Sequence, residues 1–192
     1  HAVGLLLPEL FEHHDRSQFE IFAYDYSPED GTEVRQRFKR AIEHVSPIHH
    51  LSDEQAAQQI LKDEIDILVD LHGLSLGVRA GILVQRPAPV QVTYLGYIGT
   101  TAMPWIDYAI SDRHSIPEEI KDLFSEKIIY LDCACLPGDT KRQVTPVNTR
   151  AEVGLPEGVF VFASFNNSYK LNPTMFNCWM QILKQVEGSV LW

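Results

Sequence analysis

No apolar stretch in this chain is long enough to cross a bilayer, and no signal sequence is visible, so neither a spanning nor a secreted reading is expected. Positive charge is also scarce. Lys and Arg number 16 against 26 Asp and Glu, a formal net charge of -10, and no run of basic residues is longer than two. That excludes the basic face a nucleic-acid partner requires, although one or two local cations would suffice for a small anionic ligand. The three cysteines, Cys133, Cys135 and Cys178, are too few for a disulfide framework, and a reducing, cytoplasmic setting is expected. Cys133-Ala134-Cys135 has no second pair to complete a zinc site and reads as strand packing. The glycine fingerprints of dinucleotide folds and P-loops are missing, as are the zinc-protease and serine-hydrolase motifs. No acidic metal cluster is visible, so no metal is expected.

What is present is an ordinary globular composition. Of 192 residues, 45% are hydrophobic and 22% charged, enough apolar material for one large or two small domains. Helical spacing predicts helices over residues 2–14 (with Pro8 near the start), 32–45, 52–62, 76–84 and 117–124. Ser52 with Gln55 three residues on predicts a capping box. Strands are predicted over residues 19–26, 66–72, 90–95, 106–110 and 127–131. Strands alternating with crossover-length connections imply a parallel sheet with helices on its faces, an α/β fold. Residues 137–157 are richer in Pro, Gly, Thr and charge, which marks a link between two lobes.

Two segments carry candidate chemistry. Residues 159–165 form a continuous apolar run, predicted as a strand buried on both faces, that turns polar at Asn166-Asn167-Ser168-Tyr169-Lys170. Asn172-Pro173 then supplies an N-cap and a first-turn proline for a helix. A lysine and several amides therefore stand before a helix N-terminus, where an anion is favoured; an ordinary polar connection fits the same residues. The second segment is Gly96-Tyr97-Ile98-Gly99-Thr100, at the end of the 90–95 strand, where two glycines would let backbone approach a ligand or simply make a tight turn. His13-His14 and His49-His50 lack a spaced third ligand and read as surface histidines, and His72 reads as structural before a site-lining role.

The order of these motifs is more informative than any one of them. Residues 86–101 (Arg-Pro-Ala-Pro through Gly-Tyr-Ile-Gly-Thr-Thr), Asp107-Tyr108, Ser125-Glu126-Lys127, and residues 165–173 through Trp192 together resemble the catalytic region of protein O-GlcNAc transferases. The likeness is to the bacterial SPINDLY-like branch of glycosyltransferase family 41, and it runs from His1 to Trp192.

That resemblance implies a GT-B architecture, two Rossmann-like lobes with a nucleotide sugar between them, behind tetratricopeptide repeats. On it, residues 1–139 are the N-terminal lobe lacking its first strand, 140–156 the linker, and 157–192 the start of a truncated nucleotide-sugar-binding lobe. His1 falls at the family's suggested proton acceptor. Lys170 matches the lysine that meets the donor diphosphate, with Asn167 near the nucleotide and Tyr169 beside them. Gly96, Tyr97, Gly99 and Thr100 match the loop at the sugar. The implied reaction moves GlcNAc from UDP-GlcNAc to Ser or Thr hydroxyls of a protein acceptor, without metal. An O-fucosyl or glucosyl transferase, an inactive protein-binding fragment and a sugar-nucleotide epimerase are the alternatives. Ile98, where the family usually has proline, and Ala102, where it often has glycine, depart from the pattern. Ala102 is expected to resist a positive φ.

Overall fold

The computed structural model describes residues 2–144 and 146–192, and the chain divides into two compact units, His1–Arg142 and Gln143–Trp192. In the first, α1 (Ala2–Leu6) and α2 (Pro8–Glu12) replace the single helix predicted over residues 2–14. Pro8 stands at the first position of α2, where its missing N–H costs nothing, whereas inside one continuous helix it would remove a hydrogen bond. β1 (Phe22–Asp25) follows, then α3 (Glu33–Ala41), capped by Thr32, whose hydroxyl accepts from the Arg35 N–H.

α3 stops earlier than the spacing predicts. Ile42 is extended, and β2 (His44–Pro47) pairs in parallel with β1, a strand the sequence reading did not contain. Val45 fits the end of a helical stripe or a short alternating strand equally well. Pairing with β1 decides between them, helped by Phe22 stacked on His44 at 4.3 Å between ring centroids. α4 (Asp53–Lys62) carries the predicted capping box: Gln55 N–H donates to Ser52 Oγ, and Ser52 N–H donates to Gln55 Oε1.

β3 (Ile67–Asp70), β4 (Val90–Tyr94), β5 (Tyr108–Ser111) and β6 (Lys127–Tyr130) form a four-stranded parallel sheet in that order, with α5 (Ala80–Leu83) between β3 and β4 and a 3-10 helix, Glu118–Leu123, before β6. Ile48, Ala56, Ala57, Ile60 and Ile82 form one core cluster, and Leu83, Met103 and Ile106 a second; Leu68 packs against both. Gln91 is fully buried in β4, and its amide donates to the carbonyls of Leu83 and Trp105, which pins the α5 and pre-β5 segments to the sheet.

After β6 the chain returns to the N-terminal helices. Arg37 on α3 bridges Glu12 and Asp139, each at 2.7 Å, while Thr140 donates to Glu9 and Lys141 pairs with Glu12. Hydrogen bonds from Arg37 and Lys141 hold the Glu12 carboxyl at a pKa of about 2. Cys133 and Cys135 do not lie on a strand, as the sequence reading had them. They follow β6 in a loop fixed by the Cys135 N–H on Asp112 and by the Tyr94 hydroxyl on the Cys135 carbonyl.

The second unit holds β7 (Val161–Phe162), a 3-10 turn at Ser168–Lys170, α6 (Pro173–Gln185) and β8 (Val190–Leu191), which pairs in parallel with β7. The strand predicted as buried on both faces is only two residues long and half-buried, with Phe160 and Phe165 61% and 74% exposed. Within this unit β7 has one strand neighbour and one helix among the described residues, too little to cover both faces of a seven-residue apolar run.

Candidate functional site

The predicted site residues fall into two groups, one in each unit. In the first unit they lie at the C-terminal edge of the parallel sheet, where open α/β sheets bind ligands. β3 and β4 are neighbours with Asp70 opposite Thr93, so the loops leaving them start side by side. After β3, the Asp70 carboxylate accepts from the N–H groups of His72 and Gly73 and so closes the turn. Burial raises the Asp70 pKa, and those two hydrogen bonds oppose the rise. The His72 ring packs on Tyr26 at 5.3 Å, and its Nδ1 lies 3.3 Å from Ser75 Oγ.

After β4 the chain reverses through Leu95, whose φ is 72°, into the 96–100 turn. The two loops touch backbone to backbone. A Cβ on Gly96 would lie 1.9 Å from the Leu71 carbonyl oxygen, and one on Gly73 would lie 2.5 Å from Tyr97 Cβ. Gly96 is therefore required by space, since its own φ is not in the left-handed region, whereas Gly73 is required by both space and a φ of 55°. Ile98 projects outward, 74% exposed, so its bulk does not fill the turn. Ala102 overturns the expectation that it would resist a positive φ: it sits at 54°. For a residue with a Cβ this costs about 1–2 kcal/mol, which the surrounding contacts offset.

Those contacts converge on Glu126. One carboxylate oxygen accepts from the Thr101 N–H at 2.7 Å and from the Thr101 hydroxyl; the other accepts from Thr100 Oγ1 at 2.7 Å and Ser125 Oγ at 3.1 Å. Burial would raise the Glu126 pKa, but these donors outweigh it and hold the carboxyl below its ordinary value. A buried carboxylate costs several kcal/mol, and hydrogen bonds to a charged group return about 1.5–3 kcal/mol each. The anion is satisfied by loop donors in place of a cation.

In the second unit, Asn167, Tyr169 and Lys170 share one 3-10 turn, in which Lys170 N–H donates to the Asn167 carbonyl. Asn172 Oδ1 then accepts from the Met175 N–H and starts α6 with Pro173 in its first turn. Residues 166–170 are exposed, and among the described residues no side-chain hydrogen bond or ion pair engages Asn167, Tyr169 or Lys170. An uncommitted ammonium two residues ahead of a capped helix N-terminus is suited to an anion.

The sequence pattern of glycosyl transferase family 41 matches residues 1–145 and 134–192, between them the whole chain. The chain belongs to glycosyl transferase family 41. Among family members it is similar to the probable UDP-N-acetylglucosamine--peptide N-acetylglucosaminyltransferase SEC of Arabidopsis thaliana, 37% identical over 198 residues that take in 100% of this chain and 20% of the relative. It is also similar to the UDP-N-acetylglucosamine--peptide N-acetylglucosaminyltransferase of Caenorhabditis elegans, 34% identical over 140 residues covering 72% of this chain and 12% of the relative. Among solved structures, a mutant of the Thermobaculum terrenum O-GlcNAc transferase superposes with a TM-score of 0.84 at 30% identity, covering 100% of this chain and 35% of that one. The chain thus spans about a fifth of the SEC relative's length.

In this family 41 chain the structure gathers Gly96, Tyr97, Gly99 and Thr100 in one turn and Asn167, Tyr169 and Lys170 in another, while His1 lies outside the described residues. Thr100 is occupied, because its hydroxyl donates to Glu126 and accepts from the N–H groups of Ala102 and Ser125. Gly73 and Glu126 escaped the sequence reading as site residues. A glycine directly after a buried strand was a usable signal for the first. For Glu126, nothing in Ser125-Glu126-Lys127 reveals that its acid turns inward. Among the described residues no three His, Cys, Asp or Glu side chains group as metal ligands, and no helix is long and apolar enough to cross a membrane.

Proposed function

We propose that this chain forms part of the catalytic region of a glycosyltransferase that moves GlcNAc from UDP-GlcNAc to Ser or Thr hydroxyls of proteins. The observation that carries the reading is the uncommitted Lys170 ammonium in the turn before α6, in a chain that aligns over its whole length with relatives named for this activity. In the reaction the acceptor oxygen bonds to the anomeric carbon of the sugar, the bond from that carbon to the diphosphate breaks, and UDP leaves with the electron pair. Lys170 offsets the charge that grows on the leaving diphosphate, and the N-terminus of α6 adds its partial positive charge. Asn167 and Tyr169 meet the nucleotide, and the 96–100 turn meets the sugar. The acceptor hydroxyl gives its proton to a base, a role assigned to His1 in its neutral form. Lys170 supplies the charge stabilisation, so no metal enters the scheme.

Tetratricopeptide repeats ahead of this region and a cytoplasmic setting belong to the same proposal; three free cysteines and no disulfide support the setting. The test is mass spectrometry of a Ser/Thr-rich acceptor protein incubated with the full-length enzyme and, separately, UDP-GlcNAc, GDP-fucose and UDP-glucose. Addition of an N-acetylhexosamine from the first donor supports the reading. A preference for fucose or glucose replaces the donor, and release of an epimerised nucleotide sugar replaces the reaction.

A further inference from the structure

Ser125-Glu126-Lys127 leads into β6 and has so far carried no function. Glu126 is 3% exposed, and no cation pairs with it among the described residues. Its four donors are Thr101 N–H, the Thr101 and Thr100 hydroxyls and the Ser125 hydroxyl, so most of its contacts come from the end of the 96–100 turn. Thr100 Oγ1 is crowded with partners, Ser125 Oγ among them at 3.1 Å. It accepts from the N–H groups of Ala102 and Ser125, each at 3.2 Å, and its single proton goes to Glu126. Thr101 Oγ1 likewise accepts from the Met103 N–H while it donates to the carboxylate. The same short stretch contains Ala102 in a conformation that alanine adopts reluctantly.

We propose that Glu126 is a positioning residue for the sugar end of the donor site: its buried carboxylate ties Thr100 and Thr101 to the start of β6 and thereby sets the shape of the 96–100 turn. Both oxygens of the carboxylate act as acceptors, which the isosteric amide cannot reproduce. A glutamine loses a bond in either orientation: with its NH2 toward Thr101 it faces the Thr101 N–H donor to donor, and with its NH2 toward Thr100 and Ser125 the amide can be accepted by Ser125 Oγ while the Thr100 hydroxyl loses its acceptor on residue 126. The inference rests on the proposed transferase reading for its kinetic consequence and on the loop geometry alone for its structural one.

The test uses the full-length protein carrying Glu126→Gln, with two readouts. In hydrogen exchange, the amides of residues 96–103 exchange faster than in the unmodified protein, while those of the capped helix α4 do not change. In kinetics, KM for UDP-GlcNAc rises about tenfold, equivalent to 1.4 kcal/mol, while the inhibition constant of UDP, which lacks the sugar, stays put. Equal weakening of both ligands, faster exchange throughout the unit, or no change in either readout overturns the proposal. If the unmodified enzyme does not use UDP-GlcNAc, the donor assignment fails, and the exchange result still decides whether Glu126 holds the turn. Should Glu126→Gln not fold, Glu126→Asp keeps the charge one methylene short of its donors and is expected to show the same pattern with smaller shifts.

Discussion

A methyl group added at Gly96 would sit 1.9 Å from the Leu71 carbonyl oxygen and 2.8 Å from its carbonyl carbon. Neither atom belongs to a side chain that could rotate away, so the loops after β3 and β4 would have to part by about 1 Å. Overpacking of this kind costs about 1–3 kcal/mol, and a backbone obstacle places Gly96→Ala at the upper end. For a unit of this size about 3 °C of melting temperature is lost per kcal/mol, so a fall of roughly 6–9 °C is expected by calorimetry or by circular dichroism. Because Gly96 is not in the left-handed region, the effect is steric alone, and serine should cost as much as alanine. Ala102→Gly runs the other way. It releases a left-handed penalty of about 1–2 kcal/mol, less about 0.4–1 kcal/mol for the freer unfolded chain, and should raise the melting temperature by up to about 5 °C. If Gly96→Ala melts within about 2 °C of the unmodified chain, the close approach of the two loops is wrong.

Further outcomes follow from the other interactions. In the full-length enzyme, Lys170→Ala should reduce transfer by about tenfold or more, as loss of a charge-stabilising donor does, measured as kcat with saturating donor; unchanged turnover removes Lys170 from the site. Acid should loosen the first unit through Glu12. Its folded pKa is depressed from 4.5 to about 2, so the stability it contributes is present above the unfolded value and is lost as pH falls from 4.5 toward 2. Replacing Arg37 with methionine should flatten that part of the pH–melting curve, with Asp70 opposing the trend because its pKa is raised. Asn172→Ala should weaken α6 by about 1 kcal/mol through loss of the bond to the Met175 N–H, read as faster amide exchange in the first turn of that helix.

Local chemistry alone determined a good deal of this protein. The Ser52–Gln55 capping box, the Asn172–Pro173 helix start and the five strands predicted in the first unit are all present, because each rests on neighbours within a few residues. The order of short motifs was enough to point to the family, and the polar turn holding Lys170 ahead of a capped helix was legible in the residues themselves. Other features depended on partners far along the chain. β2 exists because β1 lies beside it, and residues 159–165 shrink to a two-residue strand because so little covers them. Cys133 and Cys135 are loop residues because Asp112 and Tyr94 hold them there. Glu126 stands 25 residues from Thr101, and Gly96 stands as far from Leu71, yet each pair meets at the edge of one parallel sheet. Sequence spacing sets periodicity and caps; only the packed sheet decides which distant donor a buried acid will find, and which glycine has no room for a side chain.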